Sequence, residues 1–230
     1  SRCPRGGFAR LTMSVVVVSD SSSRLGCDER KQWNIREVPL HVLVEDQDLR
    51  DGVDEIPYDI HDRAKVTTAG ATPAELTETY RQALADSGGD GVVAVHLSSA
   101  LSSTYSAAVS ASREFGAAVR VVNSRSAAMG VGFVAKAAAR SAAAGADLDT
   151  VEDAARAALT RTQVFLVVHR LDNLRRSGRI KTAASWLGTA LSLKPLLRLD
   201  VDGRLVLDQR IRTVTKAHAA MVERVAGVVG

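Results

Sequence analysis

Four short stretches concentrate hydroxyl side chains: residues 19–23, 67–72, 98–104 and 123–126. They carry Ser21, Thr68, Ser98, Ser99, Ser102, Thr104 and Ser124, with Asp20 beside them. Neutral hydroxyls, together with the free N–H groups at a helix start, suit an anion such as a carboxylate or a phosphate. The run His96-Leu97-Ser98-Ser99, directly before a predicted helix, is the best candidate for holding one. Each stretch alone has an ordinary structural explanation, because Ser and Thr cap helices and shape turns. Four of them point to a site, with Asp20, Ser21, Ser102, Thr104 and Ser124 as candidate headgroup neighbours.

Other chemistries lack their residues. There is no Walker lysine loop and no GxSxG elbow. The five histidines, His41, His61, His96, His169 and His218, are scattered without metal-ligand spacing and read as surface or satisfied core residues. No metal, no cofactor and no catalytic residue is therefore expected. A second conspicuous feature is the segment 169–181, HRLDNLRRSGRIK, where Arg170, Arg175, Arg176, Arg179 and Lys181 outnumber Asp172. Leu171, Leu174 and Ile180 among them suggest a folded segment that presents arginines to an acidic partner. It has no aromatics for base stacking, so nucleic acid is not the expected partner.

Patterning predicts the elements that hold these residues. Residues 15–18 are all Val, as in a strand buried on both faces that ends in a polar loop. Residues 36–44 read as a second strand interrupted by Pro39, and the acidic stretch 45–63 as a long connection. Thr72, Pro73 and Glu75 form a capping box that opens a helix to about Ser87, which Gly88, Gly89 and Gly91 stop. A strand at 92–96, a helix at 101–115, a strand at 119–122 and a helix at 127–144 follow. This alternation predicts a parallel sheet with right-handed crossovers. In open parallel sheets ligands bind beyond the carboxyl ends of the strands, so the hydroxyl stretches could converge there. Asp149 and Glu152 mark a second capping box, opening a helix to about Arg161. Beyond it come a strand at 164–168, the basic segment, a hairpin around Asp202-Gly203 and a last helix from about Thr213.

The expected fold class is α/β, with a parallel sheet covered by helices on both faces in an N-terminal lobe, 13–160. A smaller α+β lobe with an antiparallel component follows at 161–230, and residues 1–12 read as a tag or disordered extension. The chain has 230 residues, 46% of them hydrophobic but only 4% aromatic, so Val, Leu and Ala must fill the core. No apolar run approaches the ~18 residues that a bilayer span needs, and no signal peptide is recognisable. Cys3 and Cys27 lack CxxC spacing, so a structural disulfide is not expected and a cytoplasmic location fits.

At these residues the sequence resembles the DegV family, whose fatty-acid-binding members are called FakB. The resemblance spans residues 13–225. It rests on Ser19-Asp20-Ser21, Val38-Pro39-Leu40, Thr67-Thr68 before Pro73, the block 97–105 (LSSALSSTY) and Asn123-Ser124. Further on it rests on residues 171–174, Ser177-Gly178-Arg179, Leu193-Lys194-Pro195, Asp202-Gly203, and Arg212 with Lys216. It implies a DegV-like two-lobed bacterial protein that buries a long-chain (C16–C18 class) fatty acid between its lobes and catalyses nothing itself. Thr68 and either Ser98 or Ser99 would hold the carboxylate. A separate fatty acid kinase would convert the bound acid to an acyl phosphate for phospholipid metabolism, docking on Arg176, Arg179, Arg212 and Lys216. Membrane contact would be transient, without stable insertion. Three departures stand out. The first motif reads TTAGATP without the usual Ser-Gln, and Ser103 replaces a Gly. A C-terminal His segment that also contacts the carboxylate in similar proteins is absent, so the second lobe is expected to be truncated.

A sixteen-carbon chain buries about fifteen carbon groups at ~0.8 kcal/mol each, roughly 12 kcal/mol before association costs of ~4–15 kcal/mol. Tight carriage without covalent chemistry is thus feasible. The competing class is an enzyme, a phosphotransferase or hydrolase acting on a small anionic substrate in the same cleft.

Overall fold

The valine run forms β1 (Val16–Asp20), every residue of which is buried. The computed structural model describes residues 15–60, 66–168, 178–179 and 194–229. β1 lies between β2 (Ile35–Val38) and β6 (Val92–His96), and β7 (Val119–Asn123) completes a parallel sheet of order β2-β1-β6-β7. Successive side chains of a strand point to opposite faces, so consecutive valines serve two cores. Val16, Val18, Val92 and Ala94 pack against Leu76, Tyr80 and Ala83 of α2 (Pro73–Asp86) and Ala108 of α3 (Thr104–Ser112). Val15, Val17, Val93 and Val95 pack against α4 (Met129–Ala143) and α5 (Leu148–Leu159), whose facing residues are mostly Ala and Val. The small side chains let α4 approach closely: a Cβ at Gly132 would lie 2.7 Å from the carbonyl oxygen of Ser23.

The stretch 36–44 is not one strand. Proline cannot donate to a ladder, and Pro39 separates β2 from β3 (His41–Val44), which belongs to a different sheet. Nor is 45–63 merely a connection, because β4 (Gln47–Arg50) pairs antiparallel with β3 after the turn at Glu45, whose φ is 55°. β5 (Val66–Ala69) pairs on the other side of β3, opposing Thr68 to Val42. Thr67 and Thr68 are therefore strand residues rather than part of a loop. The box at Asp149 and Glu152 is displaced as well. Asp147 is the N-cap of α5, accepting from the Thr150 amide at 2.9 Å.

The chain divides into two compact units between Thr162 and Gln163. In the second, β8 (Phe165–Val167), β9 (Leu196–Leu199) and β10 (Leu205–Gln209) form an antiparallel sheet of order β10-β9-β8. Gly203, with φ 74°, turns the hairpin, and Asp200 Oδ1 accepts from the amides of Asp202 and Arg204 at 3.0 and 2.8 Å. The last helix, α6 (Val214–Val229), packs on β8 and β9 and buries Ala217 and Ala220. Arg224 ties it to Asp208 through two hydrogen bonds of 2.9 and 2.8 Å. The expectation for the cysteine pair falls on Cys3, which lies outside the described residues. Among the described residues no helix is long and apolar enough to cross a membrane.

Candidate functional site

From β1 the chain passes to β2 at one edge, then crosses to β6 on the other side of β1 and continues to β7. The exits of β1 and β6 consequently diverge, and their carboxyl ends flank the crevice where such sheets bind ligands. The 3₁₀ turn Ser21–Ser23 follows β1, and residues 97–103 follow β6.

One side chain joins these exits. Asp20 is fully buried and accepts at Oδ1 from the Ser22 amide at 3.1 Å and from the Ser22 hydroxyl. Its Oδ2 accepts from the Leu97 amide and from His96 Nδ1, both at 3.0 Å. Burial opposes ionisation of Asp20, but the hydrogen bonds from His96, Ser22 and Leu97 outweigh it and hold the acid below the ordinary carboxylate range. His96, equally buried, shares its Nε2 with the Tyr80 hydroxyl at 2.7 Å. Burial, and secondarily the charge of Asp20, push the Tyr80 phenol upward. With Asp20 ionised, Nδ1–H donates to it, and in the neutral imidazole Nε2 is then the acceptor of the Tyr80 hydroxyl.

The hydroxyl stretches gather around this network. Ser98 is buried. Its amide donates to Ser126 O at 2.9 Å, and its hydroxyl accepts from the Ala100 amide at 3.2 Å. Ser99 is exposed, and its hydroxyl accepts from Asn123 Nδ2 at 2.8 Å. The Ser124 amide donates to His96 O at 2.9 Å, and its hydroxyl accepts from the Ser126 amide at 3.1 Å. Ser21, also buried, donates to Asp51 Oδ2 and accepts from the Leu40 amide, both at 3.0 Å. Ser102 and Thr104 share a hydrogen bond of 2.9 Å at the start of α3. Asp20, Ser21 and Ser124 thus face inward, whereas Thr68 and Ser99 offer hydroxyls to the outside.

Thr68 lies on the separate antiparallel sheet, and Gly70 brings that strand in. A Cβ at position 70 would stand 2.7 Å from Thr104 Oγ1 and 3.3 Å from Ser102 Oγ. Only glycine lets the strand end touch the α3 start without displacement. The same sheet is latched to α2 by His41, whose Nδ1 meets Asp48 at 2.7 Å and whose Nε2 meets Glu75 at 3.0 Å. Glu75 also completes the capping box, accepting from the amide and hydroxyl of Thr72 at 2.9 and 2.7 Å. On the β2 side, Glu37 pairs with Arg30. Burial pushes its carboxyl up to about 7; the Arg30 charge resists, and Asp51 and Asp20 add to the rise.

Sequence reasoning missed Gly70, the Tyr80–His96–Asp20 chain and Arg125, a cation within the fourth hydroxyl stretch. Arg125 has φ 47°, and its amide donates to Asn123 Oδ1 at 3.0 Å. The glycine in TTAG was a readable signal of close backbone approach. A lone tyrosine four residues after Leu76 reads only as helix core. Among the described residues, no group of three His, Cys, Asp or Glu could hold a metal. In the second unit Arg212 and Lys216 are exposed and Arg179 is partly buried, while Arg176 lies outside the described residues.

Fold and site together define an open parallel α/β protein with hydroxyl and amide donors at the switch point of its sheet. The chain belongs to the DegV family: the model described as "Uncharacterised protein, DegV family" matches residues 14–228. DegV domain-containing proteins of Mycobacterium bovis and Mycobacterium tuberculosis are 65% identical over 218 residues, covering 95% of this chain and 77% of theirs. A DegV family protein from Thermus thermophilus, described for its fatty acid binding, superposes with a TM-score of 0.84 at 32% identity, covering 93% of this chain and 77% of that one. DegV of Bacillus subtilis, a fatty acid binding protein, superposes with a TM-score of 0.77 at 28% identity, with the same coverage of 93% and 77%.

Proposed function

We propose that the chain binds one long-chain fatty acid, of roughly sixteen to eighteen carbons, with its carboxylate at the switch point. The observation that carries this reading is the gathering of hydroxyl-bearing segments around the diverging exits of β1 and β6, with Ser99 exposed there and the end of the Thr68 strand set against the start of α3 by Gly70. Likeness to solved relatives described as fatty acid binding supports the ligand class. Thr68 and Ser99 are the hydroxyls offered outward. Asn123 fills an acceptor position of Ser99 and leaves its proton to donate. A buried carboxylate costs several kcal/mol unless it is hydrogen-bonded, and these groups supply the bonds. The site's Asp–His pair favours a carrier over a hydrolase, because the second nitrogen of His96 is closed off by Tyr80 in the core and meets no serine.

The reading continues to a bacterial, cytoplasmic protein that catalyses nothing itself. A separate fatty acid kinase phosphorylates the held carboxylate to an acyl phosphate, docking on Arg179, Arg212 and Lys216, with Arg176 of the same basic segment.

Denaturing extraction of the protein as isolated from bacteria, followed by mass spectrometry, should release a saturated or monounsaturated acid in near-stoichiometric amount. An empty extract together with no uptake of added palmitate would refute the proposal. Thr68→Ala with Ser99→Ala should weaken palmitate binding about tenfold or more, the scale of hydrogen bonds to a charged group. Charge reversal at Arg179 and Arg212 should spare palmitate binding while reducing acyl phosphate formation with the kinase, and unchanged turnover would remove them from the docking surface.

A further inference from the structure

We infer that Asp20, His96 and Tyr80 are positioning residues that aim the Ser98-Ser99 turn and so set a preference for a carboxylate headgroup over a neutral one. This deepens the fatty-acid reading and rests on it. All three side chains are buried to zero exposure. Closed off from solvent, they act through the backbone they hold.

The division of donors on Asp20 is the key. Both donors to Oδ1 come from the turn after β1, and both donors to Oδ2 come from the end of β6. One carboxylate therefore rivets the two lips of the crevice. Its bond to the Leu97 amide lies one residue before Ser98, whose own amide is held by Ser126 O. The peptides leading into Leu97 and Ser98 are thus fixed, and the Ser99 amide donates onward to Asn123 Oδ1 at 3.3 Å. Tyr80 extends the lock to α2, the helix that β5 and its Thr68 lead into.

Only a carboxylate satisfies this arrangement, since every partner of Asp20 donates. In Asp20→Asn the amide NH₂ must face either the Ser22 amide or the Leu97 amide. His96 could change tautomer to compensate, but a backbone N–H cannot, so one lip is released. Tyr80→Phe keeps the ring, which packs edge-on against Phe115, and deletes only the hydroxyl that His96 needs.

The test compares delipidated full-chain protein binding hexadecanoic acid and hexadecan-1-ol, each delivered from cyclodextrin and read by calorimetry. The two ligands share a tail and differ at the headgroup, so a general loss of stability lowers both affinities together and leaves their ratio unchanged. The wild type should prefer the acid. Asp20→Asn should shrink the acid-over-alcohol ratio about tenfold, the size of a lost hydrogen bond to a charged group, and Tyr80→Phe about threefold. Alcohol affinity should stay within about twofold. If Asp20→Asn does not fold, Tyr80→Phe decides. A wild type that prefers the acid, with variants that keep its ratio, would overturn the inference while leaving the fatty-acid reading intact. A wild type that takes up neither ligand would overturn both.

Discussion

Glu37 behaves unlike the other acids around the sheet end. Its raised pKa means the folded chain holds that proton more tightly than the unfolded chain, whose glutamate titrates near 4.5. Its stability contribution is full below about 4.5 and is lost as pH climbs to about 7. The side chain is 12% exposed, so the loss is on the order of 3 kcal/mol. Glu37→Gln should flatten the melting temperature across that interval, and an unchanged slope would place the pH dependence elsewhere. Asp20 has the opposite sign: its lowered pKa gives stability that is present above 3.8 and lost in stronger acid. Residue types alone announced the hydroxyls of 98–104 with Asp20 beside them, but not how these carboxyls are held, because a carboxyl's fate depends on neighbours remote in sequence, such as His96 for Asp20.

The antiparallel sheet β4-β3-β5 gives the Thr68 strand a support separate from the central sheet. Its His41 latch has a definite pH window. Burial works against protonation of His41, but hydrogen bonds to Glu75 and Asp48 prevail and raise its pKa above 6.5. The imidazolium contribution is therefore full below about 6.5 and lost as pH rises through the raised value. Glu75, lowered from 4.5 chiefly by its Thr72 bonds against burial, contributes above that value. Amide hydrogen exchange in β3 and β5, corrected for intrinsic rates, should quicken between pH 6 and 8. His41→Asn should remove that pH response, and retention of it would discount the latch. Among the elements, α2 was readable because Thr72, Pro73 and Glu75 form a local start signal. β4 and β5 were not, because their residues are mostly exposed and show no alternation. Pro39 was readable as a break but not as a change of sheet, which depends on pairing with distant residues.

At the scale of the molecule, the parallel sheet was the most legible part, since valine runs alternating with capped helices admit few other architectures. The meeting of the β5 exit with the start of α3 was not, because a single glycine, Gly70, decides it. The valines of β1 and β6 interlock with a helix layer on each face. Such β-branched groups have few rotamers to exchange between, so the slab they build is stiff and any accommodation of a guest falls to the polar rims. Side-chain methyl relaxation should accordingly find Val16, Val17, Val93 and Val95 equally ordered with the protein empty or loaded, while Thr68 and Thr104 lose amplitude on loading. A broad change across the valines would mean that the slab itself breathes, with selectivity for tail length set in its interior instead of at its border.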